Sequence, residues 1–193
     1  MKARLVWTLW GLAGLLAGVG SALMASGGAL GDASARNGAW ATNLTVGSTA
    51  ANPWVRARIA RVGLLALTRE ETVYFDRTQD EDGRPLDAAC VYRIDGGPAP
   101  ARWWSITLYD GEDMLARNAD GAASIDATRL PAGAWSARVA PTRPDPGTAW
   151  LSSRNAGRFS LTLRLYNPAD ASPSALEALV LPKVTRLRCG GAT

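Results

Sequence analysis

The sequence predicts a mainly β protein, an antiparallel β-sandwich or jelly-roll-like domain with one covering helix, preceded by an N-terminal transmembrane helix. Two segments with clean period-two patterning carry the first part of that expectation. In Arg102–Asp110, Trp104, Ile106 and Leu108 fall on one side of a pleat and Trp103, Ser105, Thr107 and Tyr109 on the other. In Phe159–Pro168, Phe159, Leu161, Leu163 and Leu165 alternate with Ser160, Thr162, Arg164 and Tyr166. Shorter alternating segments between Gly-, Pro- and Asp-rich turns add further strands. An uncharged apolar run near the N-terminus supplies the membrane helix.

That run comes first in the chain. Met1-Lys2-Ala3-Arg4 is a basic cap, and Leu5 to Ala25 carries no charge over 21 residues. At about 1.5 Å per residue it spans roughly 30 Å, the thickness of a bilayer core. The expectation is an uncleaved anchor over 1–26 that crosses the inner membrane once through residues 5–25. Lys2 and Arg4 then stay on the cytoplasmic side, and the C-terminal domain lies in the periplasm. A signal peptide cut after Ala35, at the small-x-small triplet Ala33-Ser34-Ala35, is the competing reading and gives the same compartment. The Gly14-x-x-x-Gly18 spacing is read as helix filler.

Residues 27–36 are small and read as a flexible tether, with a β-rich domain over 37–193. Order is expected to begin at Asn37-Gly38-Ala39-Trp40. Asn52-Pro53 is a helix-start signal, and a helix from Pro53 to about Leu67 should cover one side or end of a sheet with Val55, Ile59, Val62 and Ala66. Its arginines, Arg56, Arg58 and Arg61, are read as a solvated face. Thr72–Asp76 reads as a strand and Asp80–Arg84 as a tight turn, with Ala89–Ile94 as the hairpin partner. Asp76, Asp80 and Asp82 offer oxygens, but the closing bidentate Glu of a calcium loop is missing, so the turn is expected to be a solvated hairpin tip. Met114–Arg117 is expected to pair briefly. Ala134–Val139 is a strand with Trp135, Ala137 and Val139 inward. Ala140–Gly147 holds three prolines and must be a surface loop, anchored by Trp150-Leu151. Asn167-Pro168 should stop the second long strand. Ser172–Leu179 reads as one or two helical turns with a capping-box spacing from Ser174 to Glu177, and Lys183–Arg188 as a closing strand.

The two long segments, their spacing and Ala149-Trp150-Leu151 between them are similar to a bacterial family catalogued as domain of unknown function 1214. The resemblance runs from about Asn37 to Arg188. In longer members that domain forms the C-terminal part of a two-domain, mostly β protein. The resemblance implies a fold and a cellular address, and it transfers no catalytic residue.

Composition excludes several functions. The chain of 193 residues has a net charge of +4 and contains no His, so the usual general base and the commonest metal ligand are both missing. Only Lys2 and Lys183 are lysines among the 21 basic residues, and the arginines are scattered, so no nucleic-acid partner is expected. No nucleophile elbow, Cys-x-x-Cys, His-Glu helix or phosphate-binding loop is present. No catalytic residue, metal or cofactor is therefore assigned, and the turn carboxylates Asp110, Glu112 and Asp113 are expected to face water. Cys90 and Cys189 are the two cysteines and should form a structural disulfide in an oxidising compartment.

What remains is a ligand surface. If both long strands share one sheet, Trp103, Tyr109, Arg164 and Tyr166 lie on its outer face, together with Tyr74 and Arg93. Aromatic rings stack on sugars or flat ligands, and an Arg fork grips a carboxylate or phosphate. Three functions follow as expectations. The first is non-enzymatic binding of a small ligand, a glycan or an envelope protein. The second is a structural or assembly role in the envelope with this face covered. The third is a hydrolase or transferase that uses carboxylates, Tyr and Arg.

Overall fold

A computed structural model of the chain describes residues 2–26, 34–63 and 65–190. The described chain falls into two compact units. The first holds α1 (Lys2–Ser26) and α2 (Pro53–Val62). Ala3–Met24 of α1 has a mean hydropathy of 1.5 and none of it is buried, which fits a single membrane span or a signal sequence. In α2, the Asn52 side chain accepts hydrogen bonds from the backbone N–H groups of Trp54 and Val55, and Pro53 stands at the first turn. The helix is shorter than the expected Pro53–Leu67. Gly63 adopts a left-handed φ of 67° and its N–H bonds back to the Ile59 carbonyl, which terminates the helix. The helix expected to cover the sheet belongs with α1 in this first unit.

The second unit holds ten strands and α3 (Pro173–Glu177). The strands are β1 (Ser34–Asn37), β2 (Trp40–Asn43), β3 (Thr72–Arg77), β4 (Cys90–Gly96) and β5 (Ala101–Asp110), then β6 (Ser124–Asp126), β7 (Trp135–Ala140), β8 (Ala149–Ser152), β9 (Phe159–Pro168) and β10 (Lys183–Cys189). One sheet has the order β1-β2-β3-β9-β5-β6 and the other β10-β4-β7-β8. Their apolar faces form one core. Trp104 of the first sheet stacks on Trp135 of the second, with ring centroids 4.8 Å apart, and Tyr92 meets Phe159 edge-on at 5.8 Å. Every residue expected inward on β5, β7 and β9 is buried. The Trp135 ring lies flat over Gly96, its register partner on β4, which leaves no room for a Cβ there.

Several expectations are corrected. Residues 27–33 of the tether, with Ala33 of the cleavage signal, lie outside the described residues, and Ser34–Arg36 belong to β1. β3 and β4 are not a hairpin: β3 pairs with β2 and β9, and β4 pairs with β7 and β10 in the other sheet. The chain between them crosses from sheet to sheet, held by bridges Gln79–Pro85 and Asp87–Arg158. The second sheet is mixed, because β8 is parallel to β7, and Trp150-Leu151 is itself part of that strand. The long β9 runs through Pro168. Ser172, not Ser174, caps α3, accepting from the Ala175 N–H. Residues 114–117 form no strand; the Met114 carbonyl accepts one bond from the Asp110 N–H.

Asp80 is not at a solvated tip. It is buried; one carboxylate oxygen accepts from the Asp82 and Arg84 N–H groups, and the other from Arg186 Nε at 2.7 Å. Burial pushes its carboxyl up, but the Arg84 N–H, the Arg186 guanidinium and the Asp82 N–H together hold it below the ordinary carboxylate value. Arg186 also donates to the Pro85 carbonyl and lies over the Tyr92 ring, whose phenol burial pushes above its ordinary value. Beside it, buried Arg77 donates to the Gln79 carbonyl and to Glu81, and Glu81 accepts from the Val184 N–H. These bonds fasten the crossing segment to β10. The Cys90–Cys189 disulfide ties β10 to β4 as well, at a register pair.

Candidate functional site

The outer face of the six-stranded sheet is laid out in cross-strand rows, because directly paired residues project to the same side. The first row is Thr72–Tyr166–Trp103, the second Tyr74–Arg164–Ser105–Asp126, and the third Asp76–Thr162–Thr107–Ser124. Tyr109, opposite Ser160, follows on β5. The face is thus aromatic at one end, cationic in the middle and rich in hydroxyl groups beyond.

Arg164 sits on the central strand β9. Its guanidinium donates to Tyr109 Oη at 2.7 Å and to Thr107 Oγ1 at 3.2 Å, and stands 5.4 Å from the Tyr109 ring centroid and 5.8 Å from that of Tyr74. Two tyrosines therefore fence the cation and fix its plane. In the aromatic row, the Trp103 and Tyr166 rings meet at 5.2 Å and 57°, and Trp103 Nε1 donates to Thr128 Oγ1. That bond holds the indole from the β6 side. Trp103, Tyr109, Arg164, Tyr166 and Tyr74 are all half-buried.

Two carboxylates share the face, and both are engaged. Asp76 accepts from Thr162 Oγ1 at 2.7 Å. Asp126 caps the turn after β6 through the Thr128 and Arg129 N–H groups and pairs with Arg129.

Five of the six sequence-predicted residues are brought together. Arg93 is the exception: it lies on β4 in the other sheet, exposed and paired with Asp95 at 2.7 Å. Its alternation was read correctly, but the sheet to which β4 belongs is a long-range property. Sequence reading placed Ser105, Thr107 and Thr162 outward without assigning them a role, weighed Asp76 only with the Asp80–Arg84 turn, and missed Asp126, Thr128 and Thr72. A polar residue in register with Arg164 or one row away was the available signal, and register is what single-strand patterning lacks.

The turn carboxylates do not converge into an acid/base pair. Asp110 accepts from the Glu112 and Met114 N–H groups, and Glu112 and Asp113 are exposed. Among the described residues no cluster of three or more His, Cys, Asp or Glu side chains is placed to hold a metal ion.

The profile of the family described as "Protein of unknown function (DUF1214)" matches residues 71–170, the segment from the start of β3 through the end of β9. Among solved structures, the chain is similar to the VPA0106 protein from Vibrio parahaemolyticus, at 19% identity and a TM-score of 0.57 over 72% of this chain and 36% of that one. It is also similar to an uncharacterised protein from Burkholderia cenocepacia, at 17% identity and a TM-score of 0.46, over 61% of this chain and 30% of that one. The chain thus spans about a third of the length of these two proteins, and the first likeness speaks for the fold alone. No curated protein matches the chain.

Proposed function

The chain belongs to the DUF1214 family, and from that premise we propose that it is a membrane-tethered, non-enzymatic binding protein whose outer sheet face takes a small ligand or glycan in the periplasm. The observation that carries this reading is the Arg164 cradle. A guanidinium has five N–H donors, and Tyr109 and Thr107 engage two groups of them while two tyrosine rings hold the plane. The cradle stands one row from the Trp103–Tyr166 pair, so a ligand meets a held fork and a flat apolar wall without first ordering them. The address rests on α1, with Arg4 at its N-terminal end, and on a disulfide that an oxidising compartment favours.

A structural or envelope-assembly role is the second reading. It is favoured by the same two Arg164 bonds, which also serve simply to lock β5 to β9.

The test is a thermal-shift screen of the full-length oxidised chain in detergent against envelope metabolites, glycans and lipid headgroups, with Arg164→Ala alongside. Ligand at a hundredfold above its Kd stabilises by about 2.7 kcal/mol, roughly 5 to 10 °C for a domain of this size. A shift that vanishes in Arg164→Ala is expected. A shift that survives the substitution, or none from any compound, sinks the binding reading and leaves the structural one.

A further inference from the structure

We infer that the turn leading into β3, Thr68–Thr72, supplies an oxyanion hook at the aromatic end of the face, so that the ligand carries a carboxylate or phosphate beside a flat ring. This rests on the binding reading above and narrows it to a chemical class. Arg69 Nε and Thr72 Oγ1 are both buried and neither has a hydrogen-bond partner. Thr72 is only 2% exposed. An unmet buried donor is costly, more so on a charged group, and native chains rarely leave one without a reason. Here two fall within four residues of one turn.

Within the turn, the acceptors of Thr68 and Glu71 are already engaged. The Glu71 carboxylate accepts from the Thr68 N–H and Thr68 Oγ1, and the Thr68 carbonyl accepts from the Glu71 and Thr72 N–H groups. The Glu71 carbonyl accepts from the Asn167 N–H, which pins the turn to the end of β9. The orphaned donors therefore belong to a segment fixed on both sides. Thr72 is in register with Tyr166, and Tyr166 with Trp103, so the unmet hydroxyl opens the same row that carries the aromatic pair. The carboxylate of Asp76 lies two rows away, beyond Arg164, and is engaged by Thr162. An oxyanion has the several lone pairs that two unmet donors of one turn call for, and the ring attached to it would lie against Trp103.

The experiment uses the full-length chain in detergent and three probes: benzoate, phenyl phosphate and the uncharged benzyl alcohol. Titration calorimetry is expected to show saturable binding of at least one charged probe, with benzyl alcohol much weaker. Thr72→Val, which swaps the unmet hydroxyl for a methyl, and Arg69→Gln should each weaken the charged probe roughly tenfold or more and leave benzyl alcohol unchanged. Without ligand, Thr72→Val should melt at the same temperature or higher. Charged-probe affinity that both variants preserve overturns the hook, as does a fall of several degrees in unliganded Thr72→Val, which would mean that the hydroxyl is already satisfied. If Arg164→Ala abolishes binding while Thr72→Val and Arg69→Gln do not, the hook fails and the binding face stands. If neither charged probe binds the wild-type chain, the hook fails, and the broader screen decides the face separately.

Discussion

Replacing Gly96 by Ala tests how closely the two sheets are packed. Gly96 has no left-handed backbone to demand glycine; the demand comes from Trp135, its register partner on β7. A Cβ at position 96 would lie 2.5 Å from Trp135 Cε2 and 2.6 Å from Cη2, with Cζ2 closer still, where ordinary carbon contacts begin at about 3.5 Å. The indole cannot yield cheaply. It stacks on Trp104 at 4.8 Å and its Nε1 donates to the Gly97 carbonyl. Moving it forfeits a stack worth about 0.5 to 1.5 kcal/mol and a hydrogen bond worth about as much, on top of the roughly 1 to 3 kcal/mol typical of overpacking. We expect Gly96→Ala to cost about 2 to 5 kcal/mol, a fall of roughly 5 to 15 °C in melting temperature. Far-ultraviolet circular dichroism of the full chain in detergent should also lose the exciton couplet of the stacked indoles. Trp135→Val supplies the control. In that background Gly96→Ala should cost under about 1 kcal/mol, because the clash is gone and Ala suits a strand better than Gly. Equal costs in the two backgrounds would refute the reasoning.

Two further outcomes follow from the β4–β10 edge. Reducing Cys90–Cys189, or replacing both by Ser, should destabilise by about 4 to 5 kcal/mol in the chain-entropy model, since the bridge closes a loop with a sequence separation of 99; intact mass after alkylation should show no reactive thiol before reduction. Asp80→Asn should cost about 1 to 3 kcal/mol by removing the charge partner of the half-buried Arg186 guanidinium. Because the folded carboxyl of Asp80 titrates below its unfolded value of about 3.9, the unfolded chain binds the extra proton in that window. Its stabilisation is complete above about pH 4 and is lost as pH falls through the folded value, so acid melts of Asp80→Asn should lack that part of the wild-type decline.

The legible part of the fold is the part written in period two. β5, β7 and β9 each put their apolar residues on one face, and each buries that face as read. Four-residue strands such as β1 and β2, and the three residues of β6, are too short for alternation to register. The β3–β4 hairpin was misread because Asp80-Glu81-Asp82-Gly83 has local turn chemistry, and the turn is real: Gly83 has φ 77° and Asp80 accepts from the backbone beyond it. What local chemistry lacks is Arg186, far along the chain, which draws Asp80 inward and carries the segment across to the other sheet. Gly63, by contrast, is a helix stop legible in the sequence itself.

The candidate site divides along the same line. Which residues of β5 and β9 point outward follows from each strand alone, and that sufficed for Trp103, Tyr109, Arg164 and Tyr166. What the face can do follows from register, which turns separate outward residues into rows. Only register sets Tyr74 opposite Arg164 on one side and Ser105 on the other, and places Thr72 at the head of the aromatic row. A one-residue slip of β3 against β9 would bury Tyr74 and expose Val73 and Phe75, at about 1.5 to 3 kcal/mol for each apolar side chain exposed. The hydrophobic face of β3 therefore fixes the composition of the polar face behind it. The core sets the site: the same packing that closes Val73, Phe75, Leu163 and Leu165 against the second sheet holds Arg164 between its two tyrosines.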